Sequence, residues 1–371
     1  LELIGEPVAM ELADIDDDGD VDCVYVSKDD KDKRALRAVY SLAAAQKQQA
    51  GELAPLEKLN SNPDGLRVLD ADQDGLQDVL IFVNYEPPVL VRQVEKGKFE
   101  IIDSPSAQSS LIKDASLRLI ATANVDGKTG LELLVAQKNF ARSLVFADGR
   151  TWSVIDQYNA KSTENQISAV AAFNIHGISA AERPAILLLD GQKGQLQILK
   201  AGSDKTYRVE KELDVGNWNS AAHLKMLFAA FTGGEAESLL LFDSQKFAIV
   251  TPPHNGNAAE HLKQQFSYET KIKDGTYGNL TAGDINSDGR TDIIMVDHRR
   301  NHIEILALDA DDKPAAAMRF KIFEEKGYRQ SKPRPKAAVE PRELKVADVT
   351  GDGKNDLITV IHDRIIIYPQ D

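Results

Sequence analysis

A repeat constrains this chain more than any other feature. The segments MELADIDDDGDVDCVYV from Met10, LRVLDADQDGLQDVLIFV from Leu66, LTAGDINSDGRTDIIMV from Leu280 and LKVADVTGDGKNDLITV from Leu344 align without gaps. Each reads as an alternating strand, an acidic loop with glycine at its sixth position, and a continuously apolar strand. Alternation, as at Leu66, Val68 and Asp70, is the period of a pleated strand. The run Val79-Leu80-Ile81-Phe82-Val83 is apolar on both faces and suits a strand buried on both sides. A polar hairpin and two further strands follow, for example His302 to Leu308 and Met318 to Phe323. The unit is therefore four antiparallel strands in about 50 to 60 residues, the size of a propeller blade.

Three weaker copies lie between the second and third strong ones: LRLIATANVDGKTGLELLVAQ from Leu117, ISAVAAFNIHGISAAERPAILLLD from Ile167 and LKMLFAAFTGGEAESLLLFD from Leu224. The total is seven, with blades expected near 8–59, 66–103, 117–158, 167–213, 223–269, 277–325 and 343–369. Repeats that pack only on their neighbours escape the length prior that would divide 371 residues into several domains. One domain over 1–371 is expected. The last copy ends after its third strand, Ile365 to Tyr368, while Leu1 to Ile4 precede the first. These ends are complementary, so the N-terminal strand is expected to complete the last blade and remove the exposed edges of an open array. The fold class is all-β: a seven-bladed β-propeller of four-stranded antiparallel blades. An open β-solenoid fits the four-strand repeat and the matching ends less well. A local helix around Ser41 to Ala50 is compatible with that alanine- and glutamine-rich stretch.

The loops carry the chemistry. Oxygen-bearing side chains stand at positions 1, 3, 5 and 9, and the backbone carbonyl of position 7 offers a further oxygen. Blade one supplies Asp14, Asp16, Asp18, Asp20 and Asp22 around Gly19, and blade two Asp70, Asp72, Asp74, Leu76 and Asp78 around Gly75. Blade six supplies Asp284, Asn286, Asp288, Arg290 and Asp292 around Gly289, and blade seven Asp348, Thr350, Asp352, Lys354 and Asp356 around Gly353. Calcium takes six to eight hard oxygen ligands, and a tight loop that turns alternate side chains inward supplies them. Without a cation the converging carboxylates would repel one another. The expectation is about four Ca2+ sites, tighter in blades one and two, where all four side-chain ligands are carboxylates. Solvated Asp-Gly turns are the simpler alternative, weakened by four copies in one register. Blade three keeps Asn124 and Asp126 before Gly127, with Thr122 at the first position and Glu132 displaced by an insertion.

Strands, not helices, flank these loops, and the terminal glutamate of an EF-hand is missing. In this arrangement the chain resembles the FG-GAP and VCBS repeat family, whose calcium loops join the first two strands of propeller blades, as in the integrin α-subunit head. The phenylalanine-glycine and glycine-alanine-proline signatures are absent, so the VCBS form is the nearer likeness. The resemblance implies a binding module that is secreted, periplasmic or on a cell surface.

A formal net charge of -14 disfavours nucleic acid as a partner and favours cations. No apolar run reaches the length needed to cross a bilayer as a helix. Cys23, the only cysteine, lies in the apolar run Cys23-Val24-Tyr25-Val26, where a buried inert thiol is expected. The chain opens on Leu1, not Met, which suggests removal of a leader or a longer N-terminal part. No nucleophile elbow, phosphate loop or zinc spacing is present. Ala147 to Trp152 is one residue short of an Asp-box and reads as an Asp-Gly hairpin.

The face opposite the acidic loops is expected to bind the partner, a protein or polysaccharide. Arg299 and Arg300 lie in one hairpin there, Arg364 lies in another, and the connection into blade seven carries Lys326, Arg329, Lys332, Arg334, Lys336 and Arg342. The reading is a non-catalytic calcium-binding propeller. Its rivals are a lyase or glycosidase using the central funnel and a structural subunit of a larger assembly.

Overall fold

The computed structural model describes residues 3–43, 50–102, 109–148, 151–173, 183–216, 218, 225–229, 238–251, 263–269, 275–297, 301–309, 313–322 and 340–370. Blade one is β1 (Glu6–Ala13), β2 (Asp22–Lys28), β3 (Arg34–Val39) and β4 (Gly51–Pro55); blade two is β5 (Gly65–Leu69), β6 (Asp78–Phe82), β7 (Val89–Glu95) and β8 (Lys98–Ile102). Blade three is β9 (Ile120–Ala123), β10 (Glu132–Ala136), β11 (Phe140–Ala147) and β12 (Thr151–Asn159). Blade four is β13 (Ile167–Phe173), β14 (Ala185–Asp190), β15 (Gln195–Ala201) and β16 (Tyr207–Asp214). Blade five is β17 (Lys225–Ala229), β18 (Ser238–Phe242), β19 (Lys246–Thr251) and β20 (Lys263–Glu269). Blade six is β21 (Tyr277–Gly283), β22 (Asp292–Asp297), β23 (His302–Leu308) and β24 (Pro314–Lys321), and blade seven is β25 (Glu343–Ala347), β26 (Asp356–Ile361) and β27 (Arg364–Tyr368). Each sheet is an antiparallel meander in sequence order. This is the expected seven-bladed β-propeller.

The second strands behave as their apolar runs require. Every residue of β6, β10, β14, β18, β22 and β26 is buried. Fourth strands face water, as in β24, most of which is exposed. Each pairing of a third with a fourth strand contains a register shift. Such bulges increase the local twist at the outer edge of a blade.

Ring closure is visible in the packing. Seven hydrophobic clusters fill the seams between neighbouring blades, one of them joining Met10, Cys23 and Tyr25 of blade one to Ile358, Val360 and Ile365 of blade seven. An open array of seven blades would have six seams. Leu3, from the expected closing segment, packs against this last seam, and the Ile4 N–H donates to the Tyr25 hydroxyl at 3.1 Å. Leu1 and Glu2 lie outside the described residues, and among those described blade seven has three strands. Cys23 is fully buried, and burial pushes its thiol up to about 12, so it is packing material.

Polar contacts reinforce the seam. Arg342 donates to the Glu6 carboxylate and to the Pro7 carbonyl, both at 2.8 Å, and reaches Glu340 at 3.0 Å. Lys345 Nζ lies 3.0 Å from Glu11. Ser41 to Ala43 form a turn, and residues 44–49 of the proposed local helix lie outside the described residues. No described helix is long and apolar enough to cross a membrane.

Arg342 therefore belongs to the closure and not to a free basic edge. Replacing it with Ala leaves Glu340, whose side chain is 6% exposed, without that partner. The expected loss is about 1 to 3 kcal/mol of unfolding free energy in denaturant titration. Arg364→Ala, in an exposed hairpin where among the described residues the arginine pairs only with neighbouring Asp363, leaves the midpoint unchanged.

Candidate metal centre in the acidic loops

All four acidic loops share one backbone. Position 6 is a glycine in the left-handed region in each, with φ of 91° at Gly19 and Gly75, 81° at Gly289 and 82° at Gly353. Position 4 is left-handed as well: Asp17, Gln73, Ser287 and Gly351 all have φ between 57° and 73°. The two reversals fold each loop back on itself, and in blade one they bring positions 1, 3 and 5 together. Only glycine takes such a conformation without cost, so the non-glycine residues at position 4 carry strain that the rest of the loop must offset.

Position 1 closes the turn. Asp14 accepts the N–H groups of Asp18 and Gly19 at 3.1 and 2.8 Å, and Asp70 those of Asp74 and Gly75 at 3.1 and 3.0 Å. Asp284 and Asp348 accept the N–H of Gly289 and Gly353, each at 2.8 Å. Position 5 accepts the N–H of position 7 at 2.9 Å in all four loops, from Asp20, Leu76, Arg290 and Lys354. The simpler turn-forming role of these aspartates is thus real, and it uses only part of their acceptor capacity.

Position 9 has a structural role that motif spacing does not reveal. Asp22, Asp78, Asp292 and Asp356 open the second strands and are buried. One oxygen of each accepts the N–H of loop position 2: Ile15 at 2.8 Å, Ala71 at 3.0 Å, Ile285 at 3.1 Å and Val349 at 3.0 Å. The other oxygen of three of them reaches a more distant N–H, of Ser41 at 2.7 Å, Gln93 at 2.8 Å and Gln370 at 3.2 Å. Burial pushes Asp78 up to about 7 and Asp292 to about 6. Glu132 of blade three does the same work. It is buried and accepts the Val125 N–H at 2.7 Å, seven residues back as in the other loops, so Asn124 and not Thr122 stands at position 1 and no insertion displaces Glu132.

Position 3 is where the loops differ. In blade one, Asp16 Oδ1 is shielded from water and has no hydrogen-bond partner among the described residues. Asp14, Asp16 and Asp18 each place a carboxylate oxygen within 4.8 Å of the others. Burial, then the like charges of Asp18 and Asp14, push the Asp16 carboxyl up against the opposing pull of Lys96. A buried carboxylate oxygen facing two others without a donor fits a hard cation. Blade two gathers Asp70, Asp72 and Asp78 in the same way, and Asp72 Oδ1 is likewise shielded and unpartnered. There, however, Arg92 of β7 binds Asp72 through Nε and Asp74 through a terminal nitrogen at 2.7 Å. In blade six the Asn286 carbonyl oxygen accepts the Asp288 N–H at 3.0 Å, and in blade seven Thr350 donates its N–H to Asp356. Among the described residues, three carboxylates converge in blades one and two only. In blade three, Lys128 pairs with Asp126 at 2.8 Å.

Arg299, Arg300, Lys332, Arg334 and Lys336 lie outside the described residues. Of the basic residues assigned to that face, the described ones are Arg342 and Arg364, and both have carboxylate partners.

No family model and no curated protein sequence matches the chain. Solved structures do. A Lactobacillus plantarum protein from a structural genomics effort aligns with a TM-score of 0.55 at 14% identity, over 85% of this chain and 86% of that one. An Agrocybe aegerita lectin that recognises non-reducing terminal N-acetylglucosamine aligns at 0.53 and 13% identity, over 84% and 79%. The Pseudomonas aeruginosa periplasmic gluconolactonase PpgL aligns at 0.51 and 9% identity, over 81% and 82%. At these identities the likeness is one of fold, and the fold hosts both a lectin and an enzyme.

The position-9 role is testable apart from any metal. Asp78→Ala strips two buried N–H groups of their acceptor, and the expected loss is about 2 to 4 kcal/mol. That loss should be the same size in chelator as in calcium when measured by denaturant titration.

Proposed function

We propose that this chain is a calcium-braced propeller that acts as a non-catalytic protein- or polysaccharide-binding module outside the cytoplasm, secreted, periplasmic or on a cell surface. The observation that carries the reading is the buried, unpartnered Asp16 oxygen held against Asp14 and Asp18. Asp14, Asp16, Asp18 and Asp22 would hold Ca2+ in blade one, and the ion would supply the positive charge that this oxygen lacks. Millimolar calcium outside cells fills sites of modest affinity. The placement of the loops between first and second strands supports the resemblance to VCBS-type blades.

Calcium then stabilises the fold. A site loaded at 100 times its dissociation constant contributes about 2.7 kcal/mol. Thermal melts of the wild-type chain should rise on adding calcium after EGTA treatment. Asp16→Asn should abolish the blade-one share of that rise while melting no lower than wild type in EGTA, because it removes one of the mutually repelling charges. An Asp16→Asn variant with an undiminished calcium response would refute the assignment.

A second reading, an enzyme of lyase or glycosidase type in the central channel, has one observation in its favour. Glu343 of blade seven projects across the channel, its Oε1 3.7 Å from where a Cβ on Gly65 of blade two would stand. Burial pushes it up to about 7, Lys345 and Lys225 pull it down, and Glu11 and Asp64 push it up further. Lys225 of blade five, whose amine burial shifts the opposite way, downward, donates to the Gly278 carbonyl at 3.4 Å. A carboxyl and an amine displaced toward each other are a recognised acid and base pairing. The shift is measurable as stability. Between the ordinary value of 4.5 and about 7 the folded chain binds a proton that the unfolded chain releases, so stability falls as pH rises through that window. Glu343→Gln should remove the fall. The variant should match wild type at pH 4 and melt higher at pH 8; equal melting temperatures at both would refute the shifted carboxyl and, with it, this reading.

A further inference from the structure

Blades one and two have the same loop backbone and the same four carboxylate positions, yet their electrostatic states differ. The position-9 hydrogen bonds fix the comparison: Asp22 accepts from the N–H of Ser41 and Asp78 from that of Gln93. The residues just before these acceptor-bound positions, Tyr40 just past the end of β3 and Arg92 within β7, therefore occupy equivalent places. Tyr40 is neutral at physiological pH. Arg92 is a permanent cation whose planar fork spans two carboxylates, with Nε on Asp72 and a terminal nitrogen on Asp74.

We propose that Arg92 is the resident cation of the blade-two loop, holding the place that calcium takes in blade one. Asp72 is the decisive residue, because its side chain is only 3% exposed. One of its oxygens is bound by Arg92 and the other is shielded without a partner, beside Asp70 and Asp78. In blade one the equivalent carboxylate, Asp16, has a shielded oxygen and no side chain of opposite charge within ion-pair distance among the described residues. A calcium ion entering blade two must break two charge-assisted hydrogen bonds and then sit close to a guanidinium, and each of these lowers its affinity. Lysine would not serve in the same way, since a single ammonium cannot form parallel bonds to two carboxylates on a fixed geometry. Blade three follows the same logic with Lys128 on Asp126.

This inference rests on the calcium reading of blade one and departs from the expectation that blade two, like blade one, holds one of the tighter sites. The experiment is calcium titration by calorimetry of the full chain after chelator treatment, on wild type, Arg92→Ala, Arg92→Gln, Asp16→Asn and the Asp16→Asn/Arg92→Ala double variant. Replacing one guanidinium that engages two ligands should tighten the blade-two site by about tenfold or more. Arg92→Ala should therefore show one calcium more per chain than wild type in the micromolar range, and the gain should persist in the double variant. Arg92→Gln, which keeps the bulk and loses the charge, should behave like Arg92→Ala if the latter folds poorly without metal. A site lost in Asp16→Asn together with no gain in either Arg92 variant overturns the proposal and leaves blade one's role standing. No calcium bound by any of the proteins overturns both.

Discussion

The buried carboxylate at the start of the second strand is the contact on which the acidic loops depend. The chain must turn from a strand beside the channel into one enclosed on both faces, and the turn exposes backbone N–H groups where water cannot reach them. Asp22, Asp78 and Asp356 each spend one oxygen on the loop and the other on an N–H beyond it in the same blade. A single residue thereby fixes loop, second strand and outer chain together. Buried carboxylates of this kind are tolerated because they are hydrogen-bonded, and truncating one leaves donors unsatisfied.

Once the loop is held that way, the electrostatic problem of its remaining carboxylates is solved separately in each blade. Blade one leaves Asp14, Asp16 and Asp18 converging around an unpartnered oxygen. In blade two the charge is met by Arg92, and in blade three by Lys128. Asn286 and Thr350 lower the charge in blades six and seven. The shared backbone and the divergent charge show that the loop's shape and its cation are independent properties.

Much of the fold was legible because its signals are local and repeated. Apolar runs such as Val79 to Phe82 became fully buried second strands, and the seven copies became seven blades. Glycine at position 6 was readable because glycine takes positive φ without the cost other residues bear. The equally left-handed position 4 was not, since Asp17, Gln73 and Ser287 share no residue type. Nor was Arg92, which lies outside the loop motif and meets it only through the pairing of β6 with β7. Arg342 was misread as part of a basic edge because a run of charges in sequence does not show that one of them is aimed at Glu6 across the ring closure.

The blades that lost their acidic loops reveal a second use of the same chemistry. Asp190, Asp243 and Asp297, at or just past the ends of the second strands of blades four, five and six, are all buried. Asp190 accepts the N–H groups of Gln192 and Lys193 at 3.0 and 2.9 Å, and Asp243 those of Gln245 and Lys246 at 2.8 and 2.9 Å. Asp297 accepts the Thr276 N–H at 3.2 Å. Asp190 and Asp243 thus fasten the hairpins on the opposite rim, and Asp297 the entry to the first strand of its blade. Every second strand is thus anchored by a buried carboxylate at one end or the other, and blade six, with Asp292 and Asp297, has both. The apolar strand supplies the burial, but strands packed on two faces can slide without an end stop, and a hydrogen-bonded carboxylate at a rim provides one. In blades four and five, whose sequences lack the acidic loop motif, the carboxylate at the hairpin rim is the anchor that remains to fix the register of the second strand.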